Sequence, residues 1–279
     1  MKKSVLLWLI ALILTLITAV YQRMTGPTYP ISGEAKIGGE IINFKLDRTH
    51  GGEGDHPIEI SVYDESISGE LFWKRYKTND NWTKVEMVRQ NGKLVSYLPH
   101  QPPAGKLIYH IILQKNGEAL TLPASGEVII RFKGDVPIYF LIPHIIFIFG
   151  AMLLSTRTGL EYFNEGKKFK FLTIITFIFV IIGGFIFGPI VQKYAFDAFW
   201  TGFPFGHDLT DNKILVGFVG WLLALISIYK FKNPKRWIVF ASILMFIIFL
   251  IPHSVLGSEL DYNELDAKTN IENQNNVVE

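Results

Sequence analysis

The sequence contains no cysteine. That excludes disulfides, thiolate metal sites, thioether-linked haem and a lipidated N-terminal cysteine. A domain outside the cytoplasm must then be held by its own core. Excess charge of one sign is also lacking: 27 Lys and Arg stand against 25 Asp and Glu, a formal net charge of +2. No basic stripe interleaved with aromatics is present, so nucleic acid is not expected as a partner. Familiar catalytic signatures are missing too. There is no G-x-S-x-G elbow, no H-E-x-x-H, no P-loop and no glycine-rich phosphate cradle. The sequence therefore leans away from an enzyme.

What is there comes in apolar blocks. Hydrophobic residues make up 49% of the chain and mean hydropathy is +0.27. These residues concentrate at the N-terminus and after residue 136. A bilayer core of roughly 30 Å takes about 20 helical residues. Val5 to Val20 is an unbroken apolar run behind Lys2 and Lys3. A signal peptide has a shorter apolar core, roughly 7–15 residues, and a small-residue cleavage site. Val20, Tyr21, Gln22 and Arg23 are not small, so an uncleaved anchor over residues 1–23 is favoured over a leader. Four further spans are expected at Pro137 to Ser155, Phe171 to Pro189, Ile214 to Phe231 and Trp237 to Pro252, within residues 135–256. Arg157, Lys167, Lys168 and Lys170 follow the second span, and Lys230, Lys232, Lys235 and Arg236 follow the fourth. With five spans these share a side with Lys2 and Lys3, which the positive-inside rule makes cytoplasmic. The expected location is the cell (inner) membrane, with the bilayer as one partner. Gly184 and Gly188 form a GxxxG spacing and Gly217 and Gly220 lie close together. Such residues let helices approach closely, within one chain or across a dimer.

Between the first and second spans the pattern changes. Residues 31–134 alternate short β-rich runs with turn signals at roughly 8–12 residue spacing, as in a sandwich. Candidate strands are Ile41–Leu46, Ile58–Tyr63, Glu70–Tyr76, Thr83–Val88, Lys93–Leu98, Lys106–Leu113 and Glu127–Phe132, with turns at Asn79-Asp80-Asn81, Asn91-Gly92 and Asn116-Gly117. The expected fold class is a mixed membrane protein: an N-terminal membrane helix, an extracytoplasmic antiparallel β-sandwich and a C-terminal four-helix transmembrane bundle. Residues 257–279, acidic and rich in Asn, are expected to be disordered.

One stretch carries a resemblance. Gly69-Glu-Leu-Phe-Trp-Lys-Arg-Tyr, Trp82-Thr-Lys-Val-Glu-Met and Leu98-Pro-His-Gln-Pro-Pro-Ala-Gly-Lys-Leu-Ile-Tyr109 resemble bacterial extracellular sandwiches of the immunoglobulin or fibronectin type III kind. The resemblance covers roughly a third of the chain and implies a fold, which serves many functions. The stretch from Arg131-Phe-Lys-Gly-Asp-Val-Pro to Asp211-Asn-Lys213 resembles a group of uncharacterised bacterial membrane proteins and implies no activity.

Candidate chemistry gathers on histidine. His144, His207 and His253 all fall toward the outer face on this orientation, with Asp208, Asp211, Glu259 and Asp261 as nearby oxygen donors. Imidazole suits Zn, Cu and haem iron, so a metal ion or haem at that face is one expectation. Ionisable groups at membrane depth are functional candidates because burying them is costly. The plainer expectation is that interfacial His and Trp anchor helices and that Asp211-Asn212 caps one. Residues 196–213 read as an interfacial or re-entrant segment. A second cluster, His50 and His56 with Glu53 and Asp55, sits in a glycine-rich loop that would suit a metal or be plainly solvated. Two functions follow. The leading one is non-enzymatic, an extracytoplasmic interaction or assembly domain with a membrane or extracytoplasmic protein partner. The other is redox or metal handling through the three outer histidines. Transport is disfavoured because the spans hold almost no charge.

Overall fold

The computed structural model describes residues 2–276. Met1, at the head of the expected 1–23 anchor, and residues 277–279, in the expected disordered tail, lie outside the described residues. The chain divides into two compact units. One joins the N-terminal helix to Val136–Ser258; the other joins Thr28–Asp135 to the segment beginning at Glu259.

The second unit is β-rich, with three sheets. β1 (Ile31–Ile37) pairs β2 (Glu40–Leu46). β4 (His56–Ser61), β8 (Lys93–Leu98) and β7 (Val88–Gln90) form a sheet in the order β4-β8-β7. The largest has the order β3-β11-β9-β5-β6, from β3 (Thr49–Gly51), β11 (Val128–Lys133), β9 (Lys106–Lys115), β5 (Ser68–Arg75) and β6 (Thr83–Glu86), with β10 (Glu118–Leu122) also on β9. The seven expected runs coincide with β2, β4, β5, β6, β8, β9 and β11. The run Thr83–Val88 breaks at Met87, whose N–H donates to Gly69 O at 2.8 Å. There the chain leaves β5 and takes up β8, passing from one sheet to another. Every pair is antiparallel but one: β3 runs parallel to β11, Thr49 opposite Arg131. That pairing joins residues some eighty positions apart, beyond the reach of hairpin signals.

Alternation explains the core. In β9, Leu107, Tyr109, Ile111 and Leu113 are buried and their neighbours are not, the period of two expected of a strand. They join Ile42, Leu46, Ile58, Ile60, Leu71, Leu98, Val128 and Phe132 in one cluster. The hairpins close on Asn91-Gly92 and Asn116-Gly117, whose positive φ angles (49° and 76°; 50° and 85°) match the right-handed twist of paired strands. The tail was expected to be disordered but carries α7 (Tyr262–Asn276).

The first unit is helical. It comprises α1 (Lys2–Thr25), α2 (Ile138–Leu160), α3 (Phe169–Val180), α4 (Gly188–Phe196), α5 (Leu209–Lys230) and α6 (Pro234–Leu250). A π-helical stretch, Ile181–Phe187, joins α3 to α4 into one rod. Four helices among the described residues are long and apolar enough to cross a membrane: α1, α2 with its extension to Asn164, the rod Phe169–Phe196, and α5. The expected last span is α6, 17 residues, or about 25 Å at 1.5 Å per residue.

The glycines serve contacts within the unit. A Cβ on Gly184 would meet Ile214, one on Gly217 would meet Met245, and one on Gly220 would meet Leu244. Gly183 alone of these meets backbone first: its Cβ would lie 2.9 Å from the Ile148 nitrogen and 3.0 Å from the Phe147 carbonyl carbon, both in α2. Gly183→Ala should therefore cost about 1–3 kcal/mol by overpacking, read as a lowered thermal midpoint of the detergent-solubilised chain. Gly217→Ala presses chiefly on the flexible Met245 side chain, with Ile248 Cδ1 at 3.9 Å, and should cost less. Equal losses would show that backbone approach is not why residue 183 is glycine.

Candidate functional site

The structure does not bring the three outer histidines together. His144 lies on α2 behind Pro143, half-buried, and its Nδ1–H donates to Gly183 O at 3.0 Å. The π-helical turn also gives that carbonyl the Gly188 N–H. The carbonyl can only accept, so His144 holds its proton on Nδ1 and keeps Nε2 as the bare nitrogen. His207 is exposed in the loop before α5, and His253 is exposed beyond α6. Among the described residues no three His, Asp or Glu form a group able to hold a metal ion.

The carboxylates near them have a different task. Asp211, buried in the first turn of α5, accepts from Thr201 N at 2.6 Å, Gly202 N at 3.0 Å and Gln192 Nε2 at 3.0 Å. Asp208 caps α5 through Thr210 N at 2.7 Å and accepts from Ser258 N at 2.8 Å. Asn212 Oδ1 takes Phe203 N at 2.7 Å. The sequence reading of Asp211-Asn212 as the cap is corrected by one turn: Asp208 is the N-cap, and Asp211 and Asn212 reach back to fasten the loop. Lys213 Nζ donates to Ile251 O at 3.0 Å, at the open carbonyl end of α6.

A second buried charge was taken for something else. In the sequence Arg157 stands among the cations that follow the second span. It is fully buried and pairs with Glu161, also fully buried, at 2.7 Å. Glu161 further accepts from Asn164 Nδ2 at 3.0 Å and Lys168 N at 3.1 Å. Arg157 Nη2 donates to Ser4 Oγ at 3.3 Å and its guanidinium lies 5.4 Å from the Trp8 ring centre.

In the β-rich unit His50 and His56 do meet, and His100, which the sequence reading missed, shares one of their partners. His56 Nδ1 lies 3.1 Å from His50 Nδ1, His50 Nε2 lies 3.1 Å from Gly54 O, and His100 Nδ1 lies 3.2 Å from the same oxygen. Because Gly54 O only accepts, His50 carries its proton on Nε2 and His56 donates from Nδ1. His56 Nε2 is left buried without a hydrogen bond. Asp55 Oδ1 accepts the His100 backbone N–H at 2.8 Å.

The densest polar surface of this unit is elsewhere. Arg75, at the end of β5, forks onto Asp80 (2.6 and 3.1 Å) and Asp266 (2.8 and 2.9 Å). Its guanidinium lies 5.0 Å from the Tyr262 ring centre. Lys106 and Lys77 hold Glu259 at 2.6 and 2.9 Å. The Tyr262 hydroxyl is placed against Gln101 Oε1 at 2.9 Å and Lys106 O at 3.1 Å, and Leu260 N donates to Ala104 O at 3.1 Å. Burial pushes the Tyr262 hydroxyl up to about 12. Burial acts to raise the Glu259 carboxyl, but hydrogen bonds from Lys106 and Lys77 bring it below its usual range. The Arg75 guanidinium lowers Asp266. Together these residues cradle an acidic segment with one aromatic anchor.

The histidine pair makes a pH prediction. Burial, then the nearby His50, lowers His56 to about 4. The unfolded chain titrates near 6.5, so below that pH it binds the proton first. Stability is then full above about pH 6.5 and falls as pH drops to about 4, by on the order of 3 kcal/mol. Amide exchange in Ile58–Ile60, corrected for intrinsic rate, should accelerate between pH 7.5 and 5 in the full chain. The His56→Gln variant should lose most of that dependence. A pH-independent opening would contradict the assignment.

No family model matches the chain, and no curated protein matches it. Among solved structures, the crystal structure of a Br derivative of BhCBM56 is similar at a TM-score of 0.24, with 13% identity over 37% of this chain and 92% of that one. A likeness of that size carries no argument about function.

Proposed function

We propose that this is a multi-pass protein of the cell membrane whose β-rich unit faces away from the cytoplasm and works as a non-enzymatic interaction or assembly module. The single observation that carries the interaction reading is the cradle of Arg75, Lys77, Gln101 and Lys106. It already grips a short acidic peptide, the chain's own Glu259–Asp266, through charge-assisted bonds and one buried tyrosine. Bidentate Arg–carboxylate pairs give such a surface geometric selectivity as well as attraction.

The membrane reading is supported by the helix surfaces. α1 buries Leu7, Ala11, Thr15 and Thr18 and exposes Val5, Leu9, Ile13, Leu16, Ile17 and Val20. Small and hydroxyl residues inside with large apolar residues outside is the arrangement lipid favours. Orientation follows from Lys167, Lys168 and Lys170 after the second span and Lys230, Lys232, Lys235 and Arg236 after the fourth, with α6 as a fifth crossing.

A chain ending at Ser258, reconstituted in vesicles, should bind a labelled peptide of residues 259–271 in trans. Binding should weaken as salt rises, because the contacts are ionic. It should vanish with Arg75→Glu, and the full chain should not bind because its own segment occupies the cradle. A truncated chain with native β-sheet circular dichroism that takes no peptide would defeat the interaction reading.

A further inference from the structure

We infer that the loop between α4 and α5, residues 197–208, is a rigid anchor whose phenylalanines insert at the boundary between lipid headgroups and acyl chains. The inference rests on the membrane reading above and adds a function for a segment that reading leaves unused. Phe199, Phe203 and Phe205 are 60%, 68% and 82% exposed. Leaving a large apolar side chain in water forfeits roughly 1.5–3 kcal/mol. A free loop would fold such rings inward; this one is held so that it does not.

The holding is specific. Asp211 fixes Thr201 N and Gly202 N, and Asn212 fixes Phe203 N. Behind them Phe205 N and Gly206 N donate to Gly202 O at 2.9 and 3.0 Å, and Asp208 N donates to Thr201 O at 3.0 Å. Trp200 turns inward, stacked 5.7 Å from Phe185, with Nε1 on Phe203 O at 3.1 Å. Buried carboxylates and one inward indole thus set the backbone, and the phenylalanines project from it.

The occupant follows from position and chemistry. The loop joins the ends of two crossing-length helices, Phe169–Phe196 and Leu209–Lys230. In a chain that crosses there, it lies at one membrane face. The same end carries exposed Tyr139 and Tyr194, the latter stacked 5.7 Å from Phe140. Lys193 pairs with Asp197 at 2.6 Å and lies 5.8 Å from the Phe199 ring centre, an apolar stem with its charge at headgroup height. Aromatic rings with a flanking lysine at helix ends are what the interfacial zone selects.

The chain has no cysteine, so single cysteines can be labelled without background. Phe203→Cys and Phe205→Cys would carry a nitroxide in phosphatidylcholine–phosphatidylglycerol vesicles. Ile17→Cys, on the outward face of α1, serves as the hydrocarbon reference, and Tyr63→Cys, exposed in the β-rich unit, as the aqueous one. Collision with oxygen relative to a water-soluble nickel chelate reports depth. The loop labels should show a ratio several-fold above Tyr63→Cys and below Ile17→Cys. Adding Asp211→Ala to Phe205→Cys should raise label mobility and move the ratio toward water. A loop ratio equal to that of Tyr63→Cys, with Ile17→Cys still in hydrocarbon, overturns the anchor alone. Ile17→Cys in water would overturn the membrane reading itself. Protection from both reagents would mean protein covers the rings, and would also overturn the anchor.

Discussion

The helical unit depends on close approach between helices, which its small and hydroxyl residues permit beside larger buried ones such as Trp221, Met152 and Met245. Its interfaces hold Ala11, Thr15, Thr18, Ala151, Ser155, Thr158, Thr176, Ala224, Ser227 and Ser242, and its outward faces hold Leu, Ile, Val and Phe. Small residues let backbones approach, and dispersion between close backbones then supplies the cohesion that hydrophobic burial supplies in water. The hydroxyls fold back on their own helices: Thr15 on Ala11 O, Thr158 on Leu154 O, Thr176 on Leu172 O and Ser227 on Ala224 O, each at 2.6–2.8 Å. Some also reach across to another helix. Ser242 Oγ donates to Ser155 O at 2.8 Å, and the Thr158 and Thr176 hydroxyls meet at 3.2 Å. The hydroxyls named here sit inside because each finds a carbonyl or another hydroxyl close by, whereas Ser155 Oγ and Thr173 Oγ1 are buried without a hydrogen bond; the small size of all of them is what makes the approach possible.

The β-rich unit is packed around a cluster of Ile, Leu, Val, Phe and Tyr. The buried Tyr109 hydroxyl donates to Asp47 O at 2.8 Å, which offsets the cost of burying it. Arg89 works at the rim of this core: its guanidinium takes the carbonyls of Val62, Asp64 and Ile67 at 2.6–3.0 Å, so one side chain fixes a turn that has no ladder of its own. The same logic builds the cradle, where Arg75 joins β5 to the loop at Asp80 and to α7 at once.

Much of the fold was legible because its causes are local. Alternation over six to ten residues, Asn-Gly turns and unbroken apolar runs all act over short distances, and strands and helices stand where those signals put them. What was missed is set by distance or by azimuth. Arg75 and Asp266 are 191 positions apart, and nothing near either announces the other. An acidic, Asn-rich tail is read as disordered from composition, but Glu259, Tyr262 and Asp266 fall at i, i+3 and i+7, and a basic surface makes that spacing ordered. The outer histidines looked convergent because position along a span can be read from sequence. The side from which each projects depends on helix rotation, and there His144 finds a π-helical carbonyl instead of another ligand. Arg157 read as a loop charge because Glu161, four residues on, lay past the end of the apolar run.

The status of α1 turns on contacts at three heights along it. Near its start Ser4 and Trp8 complete the surroundings of Arg157. At its middle Thr18 donates to Met152 Sδ at 3.7 Å. Near its end Gln22 Nε2 donates to Phe249 O and reaches Ile251 O, carbonyls that α6 leaves open where it stops. Lys213 serves the same Ile251 carbonyl from α5, so α1 and α5 together close the end of α6. Without α1 a buried guanidinium would lose its contacts with Ser4 and Trp8, and the Phe249 carbonyl of α6 would lose the Gln22 amide. Either loss is of the kind that costs 1–3 kcal/mol or more for each unmet polar group. α1 is thus built into the helical unit by polar contacts as well as packing.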